Sequence, residues 1–203
     1  MTRENNYLLQ AKQARQRFLT YDPQKLMEKG KLRRDAEWLY AIMLSCPYRI
    51  STITGDVQRL EKGDWVDANT FSEVMTLLDL VCDSREERFL TLRWKNMRDF
   101  GLQFHSGLLE AAADPWARRF QDDAEGFCRA CEALGGQRLA MGDIAYAIEL
   151  FDGLCIVLQL WFGDEEFPPN LRYLWDENAG MYLRYETMYY ARDLLLEAIA
   201  RRM

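Results

Sequence analysis

Histidine is nearly absent from this chain. The only one is His105, so any Ser-His or Cys-His catalysis has to pass through it. Its setting, Phe104-His105-Ser106-Gly107, is no nucleophile elbow, and an ordinary surface or half-buried histidine is expected. Phosphate cradles are missing too: no GxGxxG and no GxxxxGK[ST] occurs. Basic charge is short. With 26 Lys and Arg against 32 Asp and Glu, the net charge of −6 argues against a nucleic-acid partner, which asks for clustered cations. The single basic knot, Lys29-Gly30-Lys31-Leu32-Arg33-Arg34, reads as a solvated linker. Long hydrophobic runs are lacking as well. The longest are about ten residues and broken by polar ones, too short to span a bilayer. Met1-Thr2-Arg3-Glu4-Asn5-Asn6 opens on a charged helix with no apolar signal stretch. A cytoplasmic chain with no membrane partner is expected. The cysteines (Cys46, Cys82, Cys128, Cys131 and Cys155) are odd in number and form no secreted disulfide framework.

Large apolar side chains are plentiful, with six Trp, ten Tyr and ten Phe. They suit a core or interface built from flat rings. The densest stretch is 142–182. Runs at Ile144–Phe151 and Leu154–Phe162, separated by Asp152-Gly153, read as paired buried strands. An acidic turn follows, then Pro168-Pro169, then a third run at Leu171–Trp175 ending in Asp176. Upstream, Trp38–Leu44 reads as a buried strand, Tyr48–Ile53 as a half-exposed one and Val57–Leu60 as a third. Strands this close in sequence should be antiparallel. An edge strand is expected within Phe89–Trp94, and a turn at Asp99-Phe100-Gly101.

Helix signals are clear in three places. Asp22-Pro23 and Asp114-Pro115 each pair an N-cap with proline at the first helical position. Thr70-Phe71-Ser72-Glu73 is a capping box, with Phe71, Val74, Leu77, Leu78 and Val81 on one face behind it. Trp116, Phe120, Ala124, Phe127, Cys131 and Leu134 make one apolar stripe, closed by Gly135-Gly136. A terminal helix is expected over 185–203, and an N-terminal one over 4–19 with Leu8, Ala11, Ala14 and Phe18 inward. The fold expected is α+β: a largely antiparallel sheet with amphipathic helices on one face. Residues 1–35 form a helical N-terminal segment ahead of one α+β domain at 36–203. Tyr40-Ala41-Ile42-Met43-Leu44 echoes Tyr146-Ala147-Ile148-Glu149-Leu150. The echo points to a strand–strand–turn–strand–helix unit used twice, in one mixed sheet or two packed sheets.

Leu134-Gly135-Gly136, Gly142-Asp143, the block Leu160-Trp161-Phe162-Gly163-Asp164-Glu165-Glu166-Phe167-Pro168-Pro169 and Leu174-Trp175-Asp176 together resemble the domain-of-unknown-function family 3786. The resemblance covers about residues 38–183. It implies a family found mainly in anaerobes, some of whose members carry an iron–sulfur-binding domain ahead of this one. It brings no activity. Residues 1–35 here hold no cysteine, so no iron–sulfur module is expected in them.

Four constellations carry candidate chemistry. Asp164, Glu165, Glu166 and Asp176 supply oxygen ligands of the kind Mg²⁺ or Ca²⁺ takes, although the spacing fits no EF-hand; the alternative is a solvated turn in which Asp164 bonds its own backbone. Phe167 beside the rigid Pro168-Pro169 offers a docking edge, whereas Trp161 is expected to close the core. Cys128-Arg129-Ala130-Cys131 has CxxC spacing, but it sits mid-helix without a second pair and reads as packing. Tyr185, Met188 and Tyr189 share a helix face while Tyr190 points elsewhere. Such a helix is either deeply buried or half in an interface. Phe167, Tyr185, Tyr189 and Tyr190 are therefore the candidate interface residues. No catalytic motif and no bound cofactor are expected. The leading reading is a non-catalytic binding or accessory module with a protein partner, near metallocofactor proteins if the resemblance holds. The alternatives are a divalent-cation-dependent enzyme or small-ligand binder using the acidic loop, and a self-associating homodimer.

Overall fold

Three β-hairpins of this chain turn on two consecutive residues at positive φ: Leu44-Ser45 (50°, 59°), Lys62-Gly63 (52°, 96°) and Asp152-Gly153 (45°, 80°). Such pairs match the right-handed twist of the strands they join. A computed structural model describes residues 3–100 and 114–203. Residues 101–113, with Gly101 and His105, lie outside the described residues. The chain divides into two compact units, Met1–Phe89 with Met181–Ala191, and Leu90–Gly180 with Arg192–Met203.

The first unit opens with helices α1 (Arg3–Phe18) and α2 (Pro23–Gly30). Five strands follow: β1 (Arg33–Arg34), β2 (Trp38–Met43), β3 (Cys46–Ser51), β4 (Val57–Glu61) and β5 (Asp64–Asp67). They pair antiparallel in sequence order. Helix α3 (Phe71–Asp83) then packs on the sheet, and α1 packs along α3. Thr70 caps α3 as expected, its side chain accepting from Glu73 N at 3.3 Å. Glu73 does not reach back. Its carboxylate is buried and takes the Tyr48 hydroxyl at 2.8 Å and Arg59 at 3.2 Å. The half-made box thus fixes α3 to the sheet.

Strand β2 is buried on one face only. Leu39, Ala41 and Met43 point inward, Trp38 and Tyr40 are half-buried, and Ile42 is exposed. The expected wholly buried strand is corrected by the ordinary alternation of a sheet packed on one side. Leu44 falls outside the strand, in the turn. There Ser45 is exposed in a left-handed conformation that costs a non-glycine residue about 1 kcal/mol. Ser45→Gly is expected to raise stability by about 0.5–1 kcal/mol, read as a higher urea midpoint at unchanged slope.

The α1 contact is thin. Ala11, Ala14 and Phe18 are buried while Leu8 is 68% exposed, against expectation. Much of the joint is polar. Arg17 reaches Asp79 at 2.6 Å and Asp83 at 3.2 Å, Thr187 donates to Asp79 at 2.5 Å, and Arg184 pairs with Asp83 at 2.9 Å.

The second unit starts with β6 (Trp94–Asn96), the edge strand, set later than expected. Helices α4 (Pro115–Asp122) and α5 (Ala124–Ala133) follow, then strands β7 (Gln137–Leu139), β8 (Ile144–Phe151), β9 (Leu154–Trp161) and β10 (Asn170–Asp176). The sheet order is β6-β10-β9-β8-β7, all antiparallel. The single helix expected after Asp114 is two. Asp123 stops α4 and caps α5 by accepting from Gly126 N at 2.9 Å. An Asp pair is poorly placed at a helix C-terminus and well placed at the next N-terminus. Phe120 and Phe127 bridge the break, stacked at 4.5 Å. Tyr146 meets Phe127 edge-on at 6.3 Å and donates to Glu132 at 2.9 Å, which ties α5 to β8.

Helix α6 (Tyr185–Ala200) closes the chain, its first half in the first unit and its second half in the other. The architecture is α+β with two antiparallel meanders. Arg33 pairs with Tyr40 in one and Arg138 with Tyr146 in the other, each guanidinium lying over its ring. The echoed tyrosines nevertheless differ in setting. Tyr40 lies opposite the face that α3 covers, whereas Tyr146 lies under α5. Among the described residues no helix is long and apolar enough to cross a membrane.

Candidate functional site

The link between β9 and β10, residues 162–169, is held by a succession of polar anchors. Asp143 accepts from Phe162 N at 2.7 Å, and Gln121 of α4 accepts from Gly163 N at 2.6 Å. Asp164 accepts from Glu166 N at 2.9 Å and Phe167 N at 2.8 Å, while its own N–H reaches Phe167 O at 2.9 Å. These backbone donors hold the Asp164 carboxyl below the usual carboxylate range. Gly163 has no room for a side chain: a Cβ there would meet Pro169 N at 2.6 Å. Pro169 is buried and Pro168 exposed. The turn is therefore preorganised rather than loose.

What the turn presents is a rim of rings and carboxylates. Phe167 is 66% exposed, Phe162 45% and Trp161 42%. The expectation that Trp161 closes the core is corrected: it is the last residue of β9, and the inward place beside it is taken by Leu160. Glu165 and Glu166 are exposed between these rings. A trough of ≈ 600 Å³ runs between the loop and the end of α4, with Arg118, Gln121 and Asp122 on its far wall.

Asp176 is not part of this rim. It ends β10, whereas the acidic loop precedes β10, so the strand's length, roughly 20 Å, lies between them. A cation needs its oxygens within about 2.6 Å. Asp176 is wholly buried and already satisfied: it accepts from Thr91 N at 2.9 Å, Leu92 N at 2.6 Å and Asn178 N at 2.8 Å. Leu92 is held there at φ 57°. Next door, Arg93 pairs with Glu177, and Glu177 N donates to Arg93 O at 2.9 Å. Asp176 thus latches the strap 91–93 onto the sheet. Among the described residues no group of three His, Cys, Asp or Glu is placed to hold a metal ion.

The tyrosines of α6 are largely spoken for. Tyr185 and Tyr189 share a hydroxyl hydrogen bond of 2.7 Å, with their rings edge-on at 5.2 Å. Tyr190 meets Phe71 edge-on at 5.0 Å, and Phe71 meets Tyr7 at 4.7 Å. Of the four candidate interface residues, Phe167 is the one most open to solvent. Cys131 is fully buried and burial pushes its thiol up, while Cys128 accepts from Arg138 at 3.9 Å; the five cysteines form no disulfide. Two polar clusters had no local signal. One is the Asp176 latch, whose partners on the strap lie 84 and 85 positions away. The other is Asp79 with Arg17 and Thr187.

No curated protein and no solved structure matches this chain. One family model does, described as a domain of unknown function (DUF3786), over residues 22–198; it takes in the rim, the latch and both meanders but starts after α1. The chain belongs to that family.

Proposed function

We propose that this protein is a non-catalytic binding module that engages a protein partner through the aromatic rim of its second unit. The observation that carries this reading is Phe167, 66% exposed on a loop whose backbone is tied at Gly163, Asp164 and Phe167 itself. An apolar ring held in water by a preorganised turn is available for contact. Preorganisation spares the ordering entropy a mobile loop would lose on binding. The flanking carboxylates of Glu165 and Glu166 favour a partner segment bearing Lys or Arg beside an apolar anchor.

The test is a photo-crosslinking phenylalanine analogue at position 167, introduced in the native host. A discrete crosslinked partner, lost when Glu165 and Glu166 are both changed to Gln, is the expected result. Crosslinks no different from those of the same probe at Lys62, a hairpin tip remote in the sequence, would sink the reading.

A further inference from the structure

Helix α1 occupies a seat built by other elements of the first unit. It runs beside α3 in the same direction: Tyr7 meets Phe71 towards the start of both, and Arg17 reaches Asp79 and Asp83 towards their ends. The turn between β3 and β4 also comes up against its backbone. Gly55 makes that approach possible, since a Cβ there would lie 3.0 Å from the Arg15 carbonyl oxygen and 3.0 Å from Arg15 Cβ. The seat thus takes a helix backbone at Gly55, an arginine at Asp79 and Asp83, and small residues at the places of Ala11 and Ala14, both buried. None of these demands is particular to α1. Any helix carrying Ala-x-x-Ala-x-x-Arg-Phe meets them.

The resident helix fits imperfectly. Among the described residues five buried side-chain polar atoms lack a hydrogen-bond partner, and two of them are Arg15 Nε and Arg17 Nε of α1. A third, Thr76 Oγ1, lies on α3 one turn before Asp79. Every such atom weakens the docked state, because its bonds to water are lost and not replaced. Leu8 and Leu9, 68% and 43% exposed, add little hold. A free helix of 16 residues is marginal in water, so α1 regains chain entropy on leaving. The family model begins at residue 22, and the shared core is thus defined without α1. We propose that this groove of the first unit is a docking site for an amphipathic helix of a partner protein, with α1 as the exchangeable plug. The partner's helix brings small residues three apart and an arginine three further on, and α1 lowers its apparent affinity by the fraction of time it fills the seat. This surface is separate from the aromatic rim and does not depend on it.

Hydrogen exchange of the full chain reads the opening. Amides of α1 should exchange at least about tenfold faster than those of α3, because α1 leaves without the rest unfolding. Equal protection in the two helices overturns the proposal. A fluorescent peptide of residues 3–21 then stands in for the partner's helix. It should bind the wild type weakly and bind Arg17→Met about tenfold tighter, since that chain leaves its seat open more often. The peptide bearing the same Arg17→Met change should bind neither chain. Uptake equal in the two chains, or blind to the change in the peptide, overturns the proposal. Ala14→Phe in the chain crowds α1 out while keeping Arg17, and should raise uptake likewise, which guards against an Arg17→Met chain that folds poorly. Wild-type dimers that come apart in Arg17→Met would put a second copy's α1 in the seat and overturn its assignment to a partner protein.

Discussion

Asp176→Asn lowers the unfolding free energy by about 3 kcal/mol or more. The buried carboxylate accepts from Thr91 N, Leu92 N and Asn178 N across both its oxygens. An amide keeps the shape but replaces one oxygen with a donor, so at least one backbone N–H faces another N–H. Hydrogen bonds to a charged acceptor contribute about 1.5–3 kcal/mol each, and a stranded buried donor adds about 1–3 kcal/mol. Leu92 would also lose what holds it at positive φ. The matched control is Asp164→Asn, which alters an exposed turn and should cost under about 1 kcal/mol. Urea unfolding read at constant slope separates the two. Equal costs, or a wild type stabilised by Ca²⁺ or Mg²⁺ through Asp176, would contradict a structural latch.

Arg17→Met costs about 3–5 kcal/mol near neutral pH, and the cost shrinks in acid. Asp79 is buried, and burial pushes its carboxyl above the usual range despite the hydrogen bond from Thr187 and the charge of Arg17. The sign follows from linkage. A carboxyl whose folded value is raised binds its proton more tightly in the folded chain. Stability is then greatest below the unfolded value and falls as pH rises through the folded one. Methionine keeps the apolar stem of Arg17 but removes the cation. That raises the Asp79 carboxyl further and leaves its buried charge with only the Thr187 hydroxyl and the field of Arg184 at neutral pH, the costly way to break a buried pair. As pH falls Asp79 takes up its proton and the penalty fades. Adding Asp79→Leu should return part of the loss, since an apolar pair leaves no stranded charge. A cost flat with pH, or a double variant less stable than Arg17→Met alone, would refute this account of the joint.

The legible parts of the fold were those written locally. Asp22-Pro23, Thr70 and Asp114-Pro115 start helices because a short side chain reaches an N–H two or three residues on. Asp152-Gly153 turns a hairpin for an equally local reason. Leu44-Ser45 gave no such sign, since nothing in those residue types announces left-handed backbone. Strand β5 was missed because Asp64–Asp67 carries only Trp65 and Val66 between charges. The helix break at Asp123 hid inside an apolar stripe that continues across it, as Phe120 stacks on Phe127. For the site, residues 163–169 were recognisable as a rigid acidic turn with a ring on it. The fourth carboxylate was misplaced because the partners of Asp176 come from a strap far upstream in the sequence, and Glu73 was assigned to its own helix cap although Tyr48 and Arg59 claim it. Non-local backbone donors leave no spacing to read.

The rim is tested most directly by Phe167→Ala, with partner affinity and melting temperature measured on one preparation. An exposed ring on a turn held by Asp143, Gln121, Asp164 and backbone hydrogen bonds, none of which uses the ring, contributes little to folding. Affinity should fall about tenfold or more, as for an aromatic anchor worth about 1.4 kcal/mol or better, while the melting temperature stays put. Unchanged affinity, or a loss that tracks a lowered melting temperature, would contradict the claim that the ring is there to be bound.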